Sequence, residues 1–196
     1  MARLRRGAGT AIACALLASL AAPVPASAGP SREIAMSVDD ARFQTVPLNT
    51  GAQNPCSPPA PALPWLGLVI QAPATVGFRP GRPVDERFTA IPVCGFYRVE
   101  LSKVIGGPGL VLVASDPASG QVYRGPMLDV DAGSPRPNPH AKPLQPEDAA
   151  GILTDAYFNP NLARYVALPA AEAVYDVHAE YAGLRSNTVR IRVMRR

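Results

Sequence analysis

The run from Val174 to Val193, VYDVHAEYAGLRSNTVRIRV, constrains the fold more than any other stretch. Successive side chains of an extended backbone point to opposite faces. Tyr175, Val177, Ala179 and Tyr181 therefore share one side, and Asp176, His178 and Glu180 the other. Beyond Gly183 the alternation returns, with Val189, Ile191 and Val193 set against Thr188, Arg190 and Arg192. Two neighbouring runs of period two predict an antiparallel hairpin with one buried face, and put His178 on the solvated face. Opposed side chains share a face, so a one-residue slip would set Glu180 against Val189 and bury charge. The shorter loop, Ala182 to Ser186, favours Asp176 opposite Arg192 and His178 opposite Arg190. The alternative sets Glu180 opposite Arg190 and His178 opposite Arg192.

The amino terminus speaks to compartment. Arg3, Arg5 and Arg6 precede an uncharged apolar stretch over residues 8–22, then Pro23, Pro25 and the small-residue site Ala26-Ser27-Ala28. This is the anatomy of a secretory signal peptide, so residues 1–28 are excluded from fold reasoning and the mature chain is expected to begin at Gly29 and be exported, periplasmic or secreted. Lipid attachment at Cys14 is rejected, because almost no apolar stretch precedes it. The leader's apolar core is shorter than the roughly 20 residues a membrane span needs, and no second such run follows, so no span is expected in the mature chain.

Removing 28 of the 196 residues leaves 168, enough for one well-filled domain. Three of the 19 basic residues leave with the leader and none of the 15 acidic ones, so 16 face 15 and the net charge falls to +1. No electrostatic case for nucleic acid remains. Two cysteines stay, Cys56 and Cys94, and in an oxidising compartment an isolated pair is expected to form a structural disulfide.

Strand signals alternate with proline-rich connections. Residues 34–43 read either as a short strand, Ile34 to Val38, or as the first turns of a helix. Residues 44–64 hold six prolines, which forbid helix and deny a sheet its donors, so residues 29–64 form an extended approach segment. Strands are expected at Trp65–Gln71 (central), Arg87–Ile91 (edge), Val93–Leu101, Leu110–Ala114 and Gln121–Arg124, with weaker ones at Ile152–Phe158 and Leu162–Val166. Residues 132–150 read as a second proline-rich loop. The two proline-rich stretches serve either as recognition segments or as linkers.

Seven to eight short strands with turns between them predict an all-β, antiparallel sandwich over residues 65–196. Glu172 to Ala179, followed by Ser186 to Ile191, resembles the last two strands of immunoglobulin-like or fibronectin-like domains. That resemblance implies an immunoglobulin-like sandwich with Tyr175 at the place of the tyrosine corner. It departs from immunoglobulin domains in lacking a Cys in that strand and the Cys–Trp–Cys order, and it carries no active site.

Catalytic and metal motifs are missing. There is no G-x-S-x-G nucleophile elbow, and a disulfide removes the thiolate. Two histidines, His140 and His178, without an HExxH pairing are too few for zinc. Asp129-Val130-Asp131-Ala132-Gly133 begins like a calcium loop but lacks the later oxygen ligands. The Gly106-Gly107-Pro108-Gly109 run leads into a strand and is a turn, not a phosphate cradle. The pairs Asp39-Asp40, Asp85-Glu86 and Glu147-Asp148 are adjacent in sequence and do not face one another across a sugar. No catalytic, cofactor or metal residue is expected. Trp65, Phe96, Tyr97, Tyr123, Tyr157 and Tyr165 include candidates for a sugar-stacking platform, although burial in the core is the stronger expectation. The chain therefore reads as a non-enzymatic binding or structural component of the cell envelope, its partner an envelope protein or glycan. A carbohydrate-binding module and a hydrolase without a recognisable motif are the rivals.

Overall fold

The computed structural model describes residues 40–127, 142 and 144–196. The leader at 1–28, residues 34–38, Asp39, the Asp129–Gly133 run, His140 and most of the second proline-rich loop lie outside the described residues. What is described is mostly strand, in two sheets with very little helix, as an all-β chain requires. The smaller sheet holds β1 (Gly67–Gln71), β3 (Cys94–Glu100) and β6 (Leu153–Phe158), in the order β1-β3-β6. The larger holds β2 (Thr75–Phe78), β9 (Val189–Arg195), β7 (Ala173–Tyr181), β4 (Val111–Ser115) and β5 (Val122–Pro126), in that order, with β8 (Leu184–Arg185) paired to β7. Both sheets supply one core, in which Ile70, Val99, Leu112, Tyr175, Val177 and Ile191 are at most 2% exposed.

Several expectations are corrected. The described residues contain nine strands rather than seven or eight, because β2 and β8 carry little sequence signal. The larger sheet is not wholly antiparallel. At Pro73 the chain leaves the smaller sheet for the larger, so β2 arrives running parallel to β9, with Thr75 beside Arg192. The Trp65–Gln71 run is an edge strand, not a central one. Arg87–Ile91 is no strand: the Asp85 carboxylate accepts from the Arg87 amide at 2.9 Å and the Asp85 carbonyl from the Thr89 amide at 2.8 Å, which closes a turn. Leu162–Val166 is replaced by a helical turn, α1 (Leu162–Tyr165), capped by the Asn161 side chain on the Ala163 amide at 3.2 Å.

The terminal hairpin forms with the expected faces, Tyr175 opposite Ile191 and Val177 opposite Val189, but in neither expected register. Asp176 faces Arg190, its carboxylate accepting from the guanidinium at 2.7 Å. Ala182 and Gly183, with φ of 51° and 75°, close a two-residue turn of the kind that matches strand twist. Leu184 and Arg185 then pair back on Tyr181 and Glu180, and the Ser186 amide reaches the Ala179 carbonyl at 2.9 Å. Asn187 and Thr188 together stand opposite His178. This β-bulge shifts everything after it by one residue. It also turns Asn187 towards β1, where its side chain accepts from the Ile70 amide at 2.8 Å and donates to the Ile70 carbonyl at 3.0 Å. The two sheets are thereby joined and the free edge of β1 is capped.

The described part of the proline-rich approach segment, residues 40–64, is fastened to the outer face of the smaller sheet. Cys56 and Cys94 are at disulfide distance, their Cα atoms 5.8 Å apart. Arg98 donates to the Pro61 carbonyl at 2.9 Å, and Trp65 stacks on Phe96 at 6.3 Å. Phe43, Val46 and Cys56 are buried in the common core, so the segment packs within the same compact unit, Glu33–Arg196. The turn Asn159-Pro160-Asn161 ties it down further. Asn159 accepts from the Thr50 amide at 2.7 Å and donates to the Pro47 carbonyl at 2.8 Å, while Asn161 accepts from the Ile91 amide at 2.9 Å and donates to the Thr89 carbonyl at 3.0 Å. Both asparagines are buried and satisfied by backbone.

Candidate functional site

The inner faces of the two sheets part beside β6. Alternation puts Tyr97 of β3, Ala156 and Phe158 of β6, and Tyr181 of β7 on these inner faces, and Leu110 and Met127 continue β4 and β5 at the same level. The resulting cleft, of about 320 Å³, is closed on one side by Asn49, Thr50 and Gly51. Its volume falls within the range of small-ligand and side-chain pockets, roughly 300–1,000 Å³. Tyr97 and Tyr181 meet edge to face, centroids 4.9 Å apart and planes at 62°. Burial holds both phenols above their ordinary pKa, so both stay protonated and hydrogen-bonding at neutral pH. An amphipathic lining of this kind has apolar bodies for contact and a few hydroxyls for orientation.

Tyr181 and Gly109 also line a second hollow, of about 400 Å³, with Pro108, Val111, Arg124, Glu180 and Ala182–Arg185. The glycine-rich run read as a plain turn thus contributes a wall. Glu180 binds the Arg124 guanidinium through one oxygen and the His178 ring nitrogen Nε2 through the other, the latter at 3.2 Å. The His178 and Arg124 contacts hold the Glu180 carboxyl below its ordinary pKa. His178 is only 5% exposed, which corrects its solvated-face assignment. It does point to the outward face, but its cross-strand neighbour there is Val113, also buried, and Glu180 packs beside it.

The remaining sequence candidates disperse. Trp65, Phe96 and Tyr157 cluster on the outer face of the smaller sheet, with Phe96 buried and inclined at 54° to Tyr157. Tyr175 is buried in the core, its ring edge-on to Tyr123 at 6.0 Å. Tyr165 runs past β5, where a Cβ on Gly125 would fall 1.7 Å from the Tyr165 carbonyl oxygen. Asp40 and Asp85 are each paired with a neighbouring arginine, and Glu86 with Arg164 at 3.4 Å, while Glu147 and Asp148 lie in an exposed 3-10 turn. Nor do three His, Cys, Asp or Glu side chains gather as metal ligands there. Sequence reading named Tyr97 and Tyr157, which also lines the cleft, but missed Tyr181, Leu110 and Met127 as their companions. The only signal was parity, which put Tyr181 on the inner face at the strand's last residue, where the core thins.

No family model, curated protein or solved structure matches this chain.

Proposed function

We propose that this chain is an exported, non-enzymatic binding component of the cell envelope, built on an immunoglobulin-like sandwich. The leader-like residues 1–28 support export. The strand order supports the fold. A first strand split by Pro73 between two sheets, a parallel pairing of its second half with the last strand, and neighbours β9-β7-β4-β5 facing β1-β3-β6 correspond to the connectivity of such sandwiches. Tyr175 enters the penultimate strand where a tyrosine corner would stand.

One observation carries the binding reading: the cleft of about 320 Å³ beside β6, lined by Tyr97, Tyr181, Leu110 and Met127. A flat sugar platform is less well supported, because Phe96, on which Trp65 stacks at 25°, is itself buried, and Tyr157 is inclined at 54° to it. The test is a photo-crosslinking amino acid at Met127, on the cleft wall, with a control at Met194 on β9, each expressed in the native envelope. A specific adduct from position 127 that is missing from position 194 is expected. Equal labelling from both, or none from 127, overturns the binding reading.

A further inference from the structure

We infer that the outer edge of β6 accepts an extended, apolar polypeptide segment of another protein, added as a further strand with one side chain seated in the tyrosine cleft. The inference rests on the binding reading and names its ligand class. Pairing fixes which groups of β6 are free. The Leu101 amide donates to the Ile152 carbonyl at 2.8 Å and the Val93 amide to the Pro160 carbonyl at 3.1 Å. Antiparallel ladders alternate, so the pairs Val99–Thr154, Tyr97–Ala156 and Gly95–Phe158 exchange the bonds with β3. Leu153, Asp155 and Tyr157 turn their N–H and C=O groups to the opposite side. Among the described residues those of Asn159 are taken up by Asn49 and Thr50, at 2.8 and 3.2 Å, and Gly51 passes beside the Tyr157 carbonyl, whereas no backbone hydrogen bond meets the outward groups of Leu153 and Asp155.

Two other edges are treated differently. Asn187 caps β1, and β5 carries Pro126 at an outward position, which has no N–H to offer. Among the described residues the Leu153–Asp155 part of the β6 edge has neither device. Donors and acceptors recurring every second residue are matched by a polypeptide backbone and by no regular array of sugar hydroxyls. A guest residue opposite Ala156 would share its face and enter the cleft between Tyr97, Leu110 and Met127. Ile152 and Leu153, 48% and 44% exposed, lie at the start of the same strand and favour an apolar guest.

The probe is a random-peptide display library panned on the exported, oxidised protein. Enriched peptides should show period-two apolar alternation, and N-methylation along such a peptide should weaken binding at alternate positions only. Leu153→Pro removes one outward N–H without touching the bonds to β3, and should weaken binding by about tenfold or more; a thermal melt establishes that the variant folds. If it does not, the N-methyl pattern decides. Amide exchange at Leu153 and Asp155 should be fast in the isolated protein and slow with peptide bound. Protection already present without peptide, loss of binding at every N-methyl position or none, or failure of any alternating peptide to enrich would overturn the strand addition. A cleft-specific crosslink from position 127 would still stand in those cases, so the two readings fail separately.

Discussion

Asn187→Ala isolates the device that joins the two sheets. The wild-type amide makes two bonds to the Ile70 backbone, at 2.8 and 3.0 Å, on the free edge of β1. Each is worth roughly 0.5–1.5 kcal/mol net, and a fully buried orphan would add a desolvation penalty. Asn187 is itself exposed, so water reaches Ile70 once the side chain is gone and most of that penalty is avoided. The expected loss is therefore about 1–2 kcal/mol, or a fall of roughly 2–8 °C in Tm for a domain of this size. Asn187→Asp keeps the acceptor for the Ile70 amide but sets a carboxylate against the Ile70 carbonyl, and should lose at least as much. Urea denaturation of the oxidised protein measures both, and hydrogen exchange at the Ile70 amide should accelerate in the alanine variant. A midpoint unchanged from wild type, with Ile70 still protected, would refute the clamp.

Three further outcomes are expected. Labelling the folded, non-reduced protein should find neither Cys56 nor Cys94 reactive, and Cys56→Ser should cost roughly 4 kcal/mol by the chain-entropy estimate for a loop of 38 residues. Val177→Ala in the core should cost about 1–3 kcal/mol, whereas Arg190→Ala, in an exposed pair with Asp176, should stay within about 0–1 kcal/mol by chemical denaturation. Burial, with smaller effects from Tyr123 and Asp116, pushes the Tyr175 phenol up to about 12 from 10.0. A value raised by folding stabilises fully below the unfolded value and is lost as pH climbs through the folded one, so stability should decline between about pH 10 and 12, less steeply in Tyr175→Phe. Ultraviolet titration of phenolate checks the same point.

Much of the hairpin was legible in residues 174–193, because period-two burial depends only on side-chain parity. Register was not. It turned on Ala182 taking a positive φ, which a Cβ disfavours, and on a bulge whose extra residue looks like any other polar position. β2 was missed because a four-residue strand that pairs in parallel with the end of the chain has no turn of its own to announce it. Asn159 and Asn161 read as turn formers. Their side chains do more, holding four backbone groups from segments up to 112 residues away. The cleft was legible only as a set of aromatic residues, since its opening depends on how two sheets diverge, a long-range property no local pattern carries.

The proposed recognition site is β6 and the cleft beneath it. Amide chemical-shift mapping of the mature protein, titrated with the partner recovered from position 127, tests it most directly. Shifts concentrated at Leu153–Phe158, Tyr97, Leu110, Met127 and Tyr181, with β2 and β9 unmoved, are predicted. Shifts centred on β2 and β9, or on Trp65 and the approach segment, with β6 silent, would contradict it.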